Sequence, residues 1–202
     1  MEHDSKNVIK EPTASYNTKI YTYADYLKFE YEEMVELIRG KIFRMSAAPK
    51  SFHQDISRNL GTEIANFLKG KNCKIYYAPF DVVLPVKNES KDKSTTVVQP
   101  DICVICDRSK IDEAGCFGAP DFIVEIISPS TAKKDINDKL SIYEETRVKE
   151  YWIVFPKDET INMFSLKDGK YRLQKMYTKT EQIFPVTLPD LTIDLESIFN
   201  YD

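Results

Sequence analysis

Apolar residues recur along this chain with two different periods, and the switches between them mark its elements. Thr22, ahead of Tyr23, Tyr26 and Leu27, predicts a short capped helix. In MVELIRGKIFRM, Met34 to Met45, two short β-like runs flank Arg39-Gly40, whose glycine supplies a turn. This predicts a hairpin with Glu36 on its first strand. From Ser51 the period lengthens. Ile56, Leu60, Ile64, Phe67 and Leu68 follow helical spacing, which predicts a helix capped by Ser51 and stopped by Gly70. CKIYYAPFDVVLP, Cys73 to Pro85, reads as one strand bent at Pro79, and the polar residues 87–96 read as a solvated loop.

Val97 to Thr131 then forms two apolar strands joined by a polar loop. SPSTAKKD, with Ser130 or Thr131 as cap, leads into a helix whose buried stripe is Ile136, Leu140 and Tyr143. Glu150 to Pro156 is a short strand. Asp168-Gly169 turns a second hairpin, and the apolar tail FPVTLPDLTIDLESIF packs back on the body. Residues 1–19 are polar and lack periodicity, which suggests a flexible arm ahead of a single domain spanning 20–202. The order of elements predicts an α/β (α+β) fold: one mixed sheet with helices against it and hairpins at both ends.

Composition narrows the chemistry. A chain of 202 residues with 42% hydrophobic content can bury one substantial core. It contains no long apolar run, so no membrane partner is expected. Four cysteines do not suggest a disulfide framework and fit a reducing, cytoplasmic setting. A net charge of −4 argues against broad non-specific nucleic-acid affinity, though not against a local basic patch. With only His3 and His53 available, a histidine-rich zinc site is excluded, and any metal centre must lean on carboxylates.

Two carboxylates stand out. Asp101 opens the first central strand, directly after Pro100, and Glu125 lies among Ile123, Val124, Ile126 and Ile127. An acid in such a run is costly to bury unless it is paired or binds a cation. If the two strands pair, one register brings both carboxylates to a single hard cation; the plainer alternative is a strand cap and an ion pair. Lys139, one turn after Asp135, is directed partly at the sheet, where it can stabilise charge on a phosphate oxygen or simply pair with Asp135.

The segments QPDICVI, APDFIVEIISPST and DINDKLSIYEETRVKEYWIVFP, with VELIRGKIFRM and the His53 helix upstream, resemble the Uma-two family of restriction endonucleases. That family belongs to the PD-(D/E)XK nuclease superfamily, and the resemblance runs from about Tyr21 to Phe199. It implies a restriction-endonuclease-like mixed central sheet flanked by helices. It also implies a metal-dependent endonuclease acting on DNA, with Asp101 and Glu125 binding Mg²⁺ or Mn²⁺. The superfamily lysine is missing from its usual strand position, taken here by Ile127, and the Uma-two pattern places it at Lys139. Glu36 is implied as a further acid near the metal. His53 also matches a family position, although a lone histidine near a helix start is commonly a structural contact. Lys133 and Lys134 at the helix entrance are candidate phosphate contacts or a solvated basic patch. A homodimer follows from function alone, as a means of cutting two strands.

Other signals point elsewhere or nowhere. Cys103-x-x-Cys106 lies inside an apolar strand, where residues three apart face opposite sides, so buried thiols are expected rather than a zinc knuckle. Tyr76, Tyr77, Tyr143 and Tyr151 read as core rather than as base-stacking platforms. From a different class, the alternative to an enzyme is a catalytically inactive nucleic-acid or protein-binding module on the same fold.

Overall fold

The structure, a computed structural model, describes residues 19–30, 33–45, 50–128 and 134–200. The proposed N-terminal arm, the Ser130 or Thr131 cap and Lys133 lie outside these residues, as do the side chains of Lys134 and Asp135.

Helix α1 (Tyr23–Tyr26) begins at Thr22, whose hydroxyl accepts from the Asp25 amide while the Asp25 carboxylate accepts from the Thr22 amide. Strands β1 (Val35–Ile38) and β2 (Lys41–Arg44) form the expected hairpin, with Arg39 at φ 49° and Gly40 at φ 75°. Two successive positive φ angles are the turn geometry that matches the twist of a tight hairpin. Helix α2 (Ser51–Leu68) buries Ile56, Leu60, Ile64 and Leu68. Ser51 is its first helical residue, not its cap; Lys50 holds that position without a side-chain hydrogen bond.

The segment expected as one bent strand is two. β3 (Lys74–Tyr77) and β4 (Val82–Val83) belong to different sheets, with the Ala78–Pro79 peptide between them. The apolar run after residue 96 is divided in the same way. β5 (Val97–Val98) joins one sheet and β6 (Ile102–Ile105) the other, because Pro100 has no amide proton to continue a ladder. β7 (Ile111–Asp112), β8 (Gly115–Phe117) and β9 (Phe122–Ile126) follow. A π-helical turn at Lys134–Lys139 leads into α3 (Leu140–Glu145). The chain ends with β10 (Glu150–Phe155), the hairpin β11 (Thr160–Lys167) and β12 (Lys170–Thr178), then β13 (Gln182–Ile183), β14 (Ile193–Asp194) and α4 (Leu195–Ile198).

The architecture is the mixed α+β class expected, with two six-stranded sheets in place of one. The central sheet has the order β12-β11-β10-β9-β6-β3, and the second has β2-β1-β5-β4-β8-β7. In the central sheet β9 and β10 are parallel, joined through α3, whereas β6 and β9 are antiparallel. One face of this sheet, carrying Val104, Phe122, Val124, Trp152 and Val154, packs under α2, α4 and the C-terminal tail. The opposite face, carrying Cys103, Ile123, Tyr151 and Ile153, packs against α3 and the second sheet. The tail returns to the body as its apolar pattern predicts, with Leu188, Leu191, Ile193 and Ile198 buried.

One cysteine expectation is overturned. Cys73 and Cys106 are joined as a disulfide, tying the entry of β3 to the exit of β6. The antiparallel pairing of those strands, with Lys74 opposite Ile105, brings the flanking cysteines together from distant points in the sequence. Cys103 and Cys116 are the buried free thiols among the described residues. Among those residues, too, no helix is long and apolar enough to cross a membrane.

Candidate active site

The residues singled out by the sequence converge at the seam between the two sheets. The last β6–β9 pair is Ile102 with Val124, so one further step sets Asp101 opposite Glu125. Residues directly opposite on antiparallel strands project to the same face. Glu36 reaches the seam from β1 of the second sheet, and Lys139 from the turn that opens α3. Four segments distant in sequence thus supply the four side chains.

Lys139 lies between two acids. Its Nζ is 2.7 Å from Glu125 Oε1 and 2.9 Å from Glu36 Oε1. All three side chains are sealed from solvent: Glu36 is 0%, Glu125 3% and Lys139 2% exposed. Desolvated charges of this kind hold together only when each lone pair and proton finds a partner. Most of those partners are visible. Glu36 Oε1 also accepts from the Gln99 amide at 3.0 Å, and Glu125 Oε1 from the Tyr143 hydroxyl at 2.7 Å. Lys139 and Tyr143 are four residues apart, one helical turn, so a single helix face presents both donors to the same carboxylate oxygen. Burial first, and then the charge on Glu125, push the Tyr143 hydroxyl well above its usual pKa, which keeps it protonated as a donor.

Asp101 is held from the other side. Its Oδ2 accepts from the Ile126 amide at 2.7 Å and stands 3.4 Å from His53 Nε2. Unlike Glu36 and Glu125 it retains some exposure, with its side chain at 18%. Oδ1 makes no hydrogen bond among the described residues. Asp101 is therefore the solvent-facing acid of the group and Glu36 the innermost.

Sequence reasoning missed or discounted four contributors. Tyr143 read as core because its ring is core; only its spacing from Lys139 hinted at a second task for its hydroxyl. The Ile126 and Gln99 amides are main-chain donors without any side-chain signature. His53, discounted as a structural contact, does make a contact, but the residue it touches is Asp101.

Among the described residues, no group of three or more His, Cys, Asp and Glu side chains could hold a metal ion by itself. The donor set is two facing carboxylates with oxygen atoms only. That suits Mg²⁺ or Mn²⁺, which keep several waters and bind through one or two carboxylates together with substrate phosphate. It does not suit zinc.

Comparison with known proteins places the chain in a family and gives a likeness of fold. The family model described as "Uma2: Putative restriction endonuclease" matches residues 22–196. An uncharacterized protein of Synechocystis sp., slr1290, is 27% identical over 147 residues, covering 71% of this chain and 73% of its own. A crystal structure from Anabaena variabilis, described as a putative nuclease belonging to DUF820, superposes with a TM-score of 0.69. It covers 90% of this chain and 98% of its own at 19% identity, a likeness of fold. With a family model spanning nearly the whole described body, this chain belongs to the Uma2 family.

Proposed function

We propose that the protein is a metal-dependent endonuclease that hydrolyses phosphodiester bonds in DNA at the Asp101–Glu125–Lys139 site. The observation that carries this reading is the sealed Glu36–Lys139–Glu125 bridge, set directly beside the partly open Asp101. A fold held together by apolar packing has no need of three buried charges at one seam.

Asp101 and Glu125 are the residues that would hold Mg²⁺ or Mn²⁺. When bound, such an ion supplies Lewis acidity toward a phosphoryl oxygen and lowers the pKa of its water. The protein's own groups fix the geometry around it. The Ile126 amide sets the Asp101 rotamer, and Lys139 with Tyr143 sets that of Glu125. Glu36, held by the Gln99 amide, positions the Lys139 ammonium, so its role in this reading is to aim the lysine rather than to ligate metal. Lys139 then offers a fixed positive charge beside the reacting phosphate, where charge increases in the transition state.

A second reading, a non-catalytic binding module, takes support from the same bridge, since an ammonium shared by two acids is closed to substrate until one contact opens. Cleavage of plasmid DNA in Mg²⁺ or Mn²⁺ separates the two. The nuclease reading expects nicking by the wild type that is lost in folded Asp101→Asn and Glu125→Gln variants. Equal nicking by all three would sink the assigned site.

A further inference from the structure

Beside the acid cluster, on the other side of strand β1, lies a cavity that the proposed chemistry does not use. It has a volume of about 390 Å³ and is lined by Tyr26, Leu27, Phe29, Met34, Val35 and Gln99. Continuing the β1–β5 register from the Leu37–Val97 pair sets Gln99 beside Val35. Both therefore face away from Glu36, their neighbour on the strand pair. Gln99 links the two places, because its main-chain amide holds Glu36 Oε1 at 3.0 Å while its side chain lines the cavity. Asp101 is two residues further on.

We propose that this cavity receives an unpaired nucleobase of the nucleic-acid substrate, next to the phosphodiester presented to Asp101 and Glu125. The proposal rests on the nuclease reading of the adjacent site and extends it to the substrate's form. Three features of the walls point to a flat, neutral ligand with donor groups.

The first is aromatic surface. Tyr26 and Phe29 stand with their rings 6.0 Å apart at 66°, giving two differently inclined faces, and bases stack on such faces regardless of sequence. The second is an uncovered apolar rim: Leu27 is 61% and Met34 51% exposed, although most large apolar side chains among the described residues are buried. Clustered exposure of this kind marks a surface that meets a partner. The third is the hydrogen-bonding polarity. Gln99 is 8% exposed, and its Nε2 donates to Asp81 Oδ1 at 2.7 Å and lies 3.4 Å from the Tyr26 hydroxyl. A carboxylate neighbour fixes the amide with nitrogen toward Asp81, so Oε1 is turned the other way, buried and without a hydrogen-bond partner. An acceptor left in this state calls for a donor from outside the chain.

The remaining polar lining residue among those described, Glu33, is also an acceptor, paired with Arg44 at 3.7 Å, and no lysine or arginine is among the described lining residues. Acceptors on the described walls disfavour a phosphate group in the interior. They favour the amino edge of adenine, cytosine or guanine, with the attached phosphate left outside toward the acid cluster. Enzymes that take a base out of its stack read it in this manner, by stacking and by hydrogen bonds to its edge.

The test uses metal-free full-length protein, so that binding is measured without cleavage. Two single-stranded oligonucleotides, identical except for one abasic position, are titrated calorimetrically, together with dCMP and dTMP. The base-bearing strand is expected to bind about tenfold more tightly than the abasic one, the effect of losing one stacked base. Phe29→Ala and, at the exposed rim, Leu27→Asp are expected to erase that difference, and Gln99→Met to erase a preference for dCMP over dTMP. Equal affinity for both strands, a difference that survives in both wall variants, or no measurable binding of any nucleotide overturns the assignment. Plasmid cleavage with metal is scored separately. Loss of cleavage with base selectivity retained would remove the nuclease reading and leave the pocket standing.

Discussion

Two buried glutamates on neighbouring parallel strands keep very different company. Glu125 on β9 and Glu150 on β10 are 3% and 0% exposed. Glu150 is met by neutral donors only: Trp152 Nε1 at 2.8 Å on one oxygen, and the Thr187 amide and hydroxyl at 2.6 and 2.7 Å on the other. These contacts clip the C-terminal tail to the sheet and fill both oxygens. Glu125 is met by an ammonium shared with a second acid and by a tyrosine hydroxyl, beside a third acid that is partly open. Burial alone therefore carries no functional message in this molecule. What distinguishes the two sites is whether the partners are neutral and saturating or charged and shared.

The largest effects should fall on one side of that contrast. Glu125→Gln and Asp101→Asn are expected to reduce DNA cleavage to background, while Glu150→Gln keeps wild-type cleavage per folded molecule. Plasmid assays normalised to the folded fraction by circular dichroism check this. Cleavage lost equally in Glu150→Gln would break the comparison.

Next comes the shared cation. Lys139→Met leaves two buried carboxylates facing each other without compensation, and is expected to destabilise the fold by about 3–5 kcal/mol. Adding Glu36→Gln should recover part of that loss in urea denaturation without restoring cleavage. A destabilisation no larger than that of an exposed lysine would mean that the bridge is not formed in solution.

A smaller effect sharpens the division of labour on α3. Tyr143→Phe removes one of two donors at Glu125 Oε1 and keeps the packed ring, so stability should fall by only about 1 kcal/mol. Metal affinity measured by calorimetry should weaken roughly ten- to a hundredfold, as when a group orienting a ligand is lost.

The smallest effect is a pH dependence. Burial raises the Glu150 carboxyl above its ordinary value, with the hydrogen bonds from Thr187 and Trp152 opposing. The folded state therefore holds this proton more tightly than the unfolded chain. Its contribution is complete below the ordinary glutamate value of 4.5 and is lost as pH rises through the raised folded value. Glu150→Gln removes that dependence, so the variant should gain stability relative to wild type as pH increases across that window. Thermal melts of the pair at several pH values read the difference directly.

How far the sequence could be read follows from the same physics. Local signals were legible: the Thr22 cap, the Arg39-Gly40 and Asp168-Gly169 turns, and the stripe of α2. So was the anomaly of Glu125 among aliphatics, because an acid in that setting needs an explanation. Assembly was less legible. Pro79 and Pro100 each divide an apolar run between two sheets, and no local rule says which sheet the following strand joins. The Cys73–Cys106 link depends on the β3–β6 register rather than on spacing. Glu36 could be placed on a strand, yet nothing in the hairpin shows that this strand meets the face of a sheet begun forty residues later. Main-chain donors such as the Ile126 and Gln99 amides carry no sequence signal at all.

The central claim is that the charged cluster around Glu125 performs metal-dependent cleavage while the neutral cluster around Glu150 holds structure. Its most direct measurement is plasmid cleavage in Mn²⁺ by wild type, Glu125→Gln and Glu150→Gln at equal folded concentration. Cleavage by wild type and Glu150→Gln, with none by Glu125→Gln, is the predicted result. Cleavage retained in Glu125→Gln would contradict it.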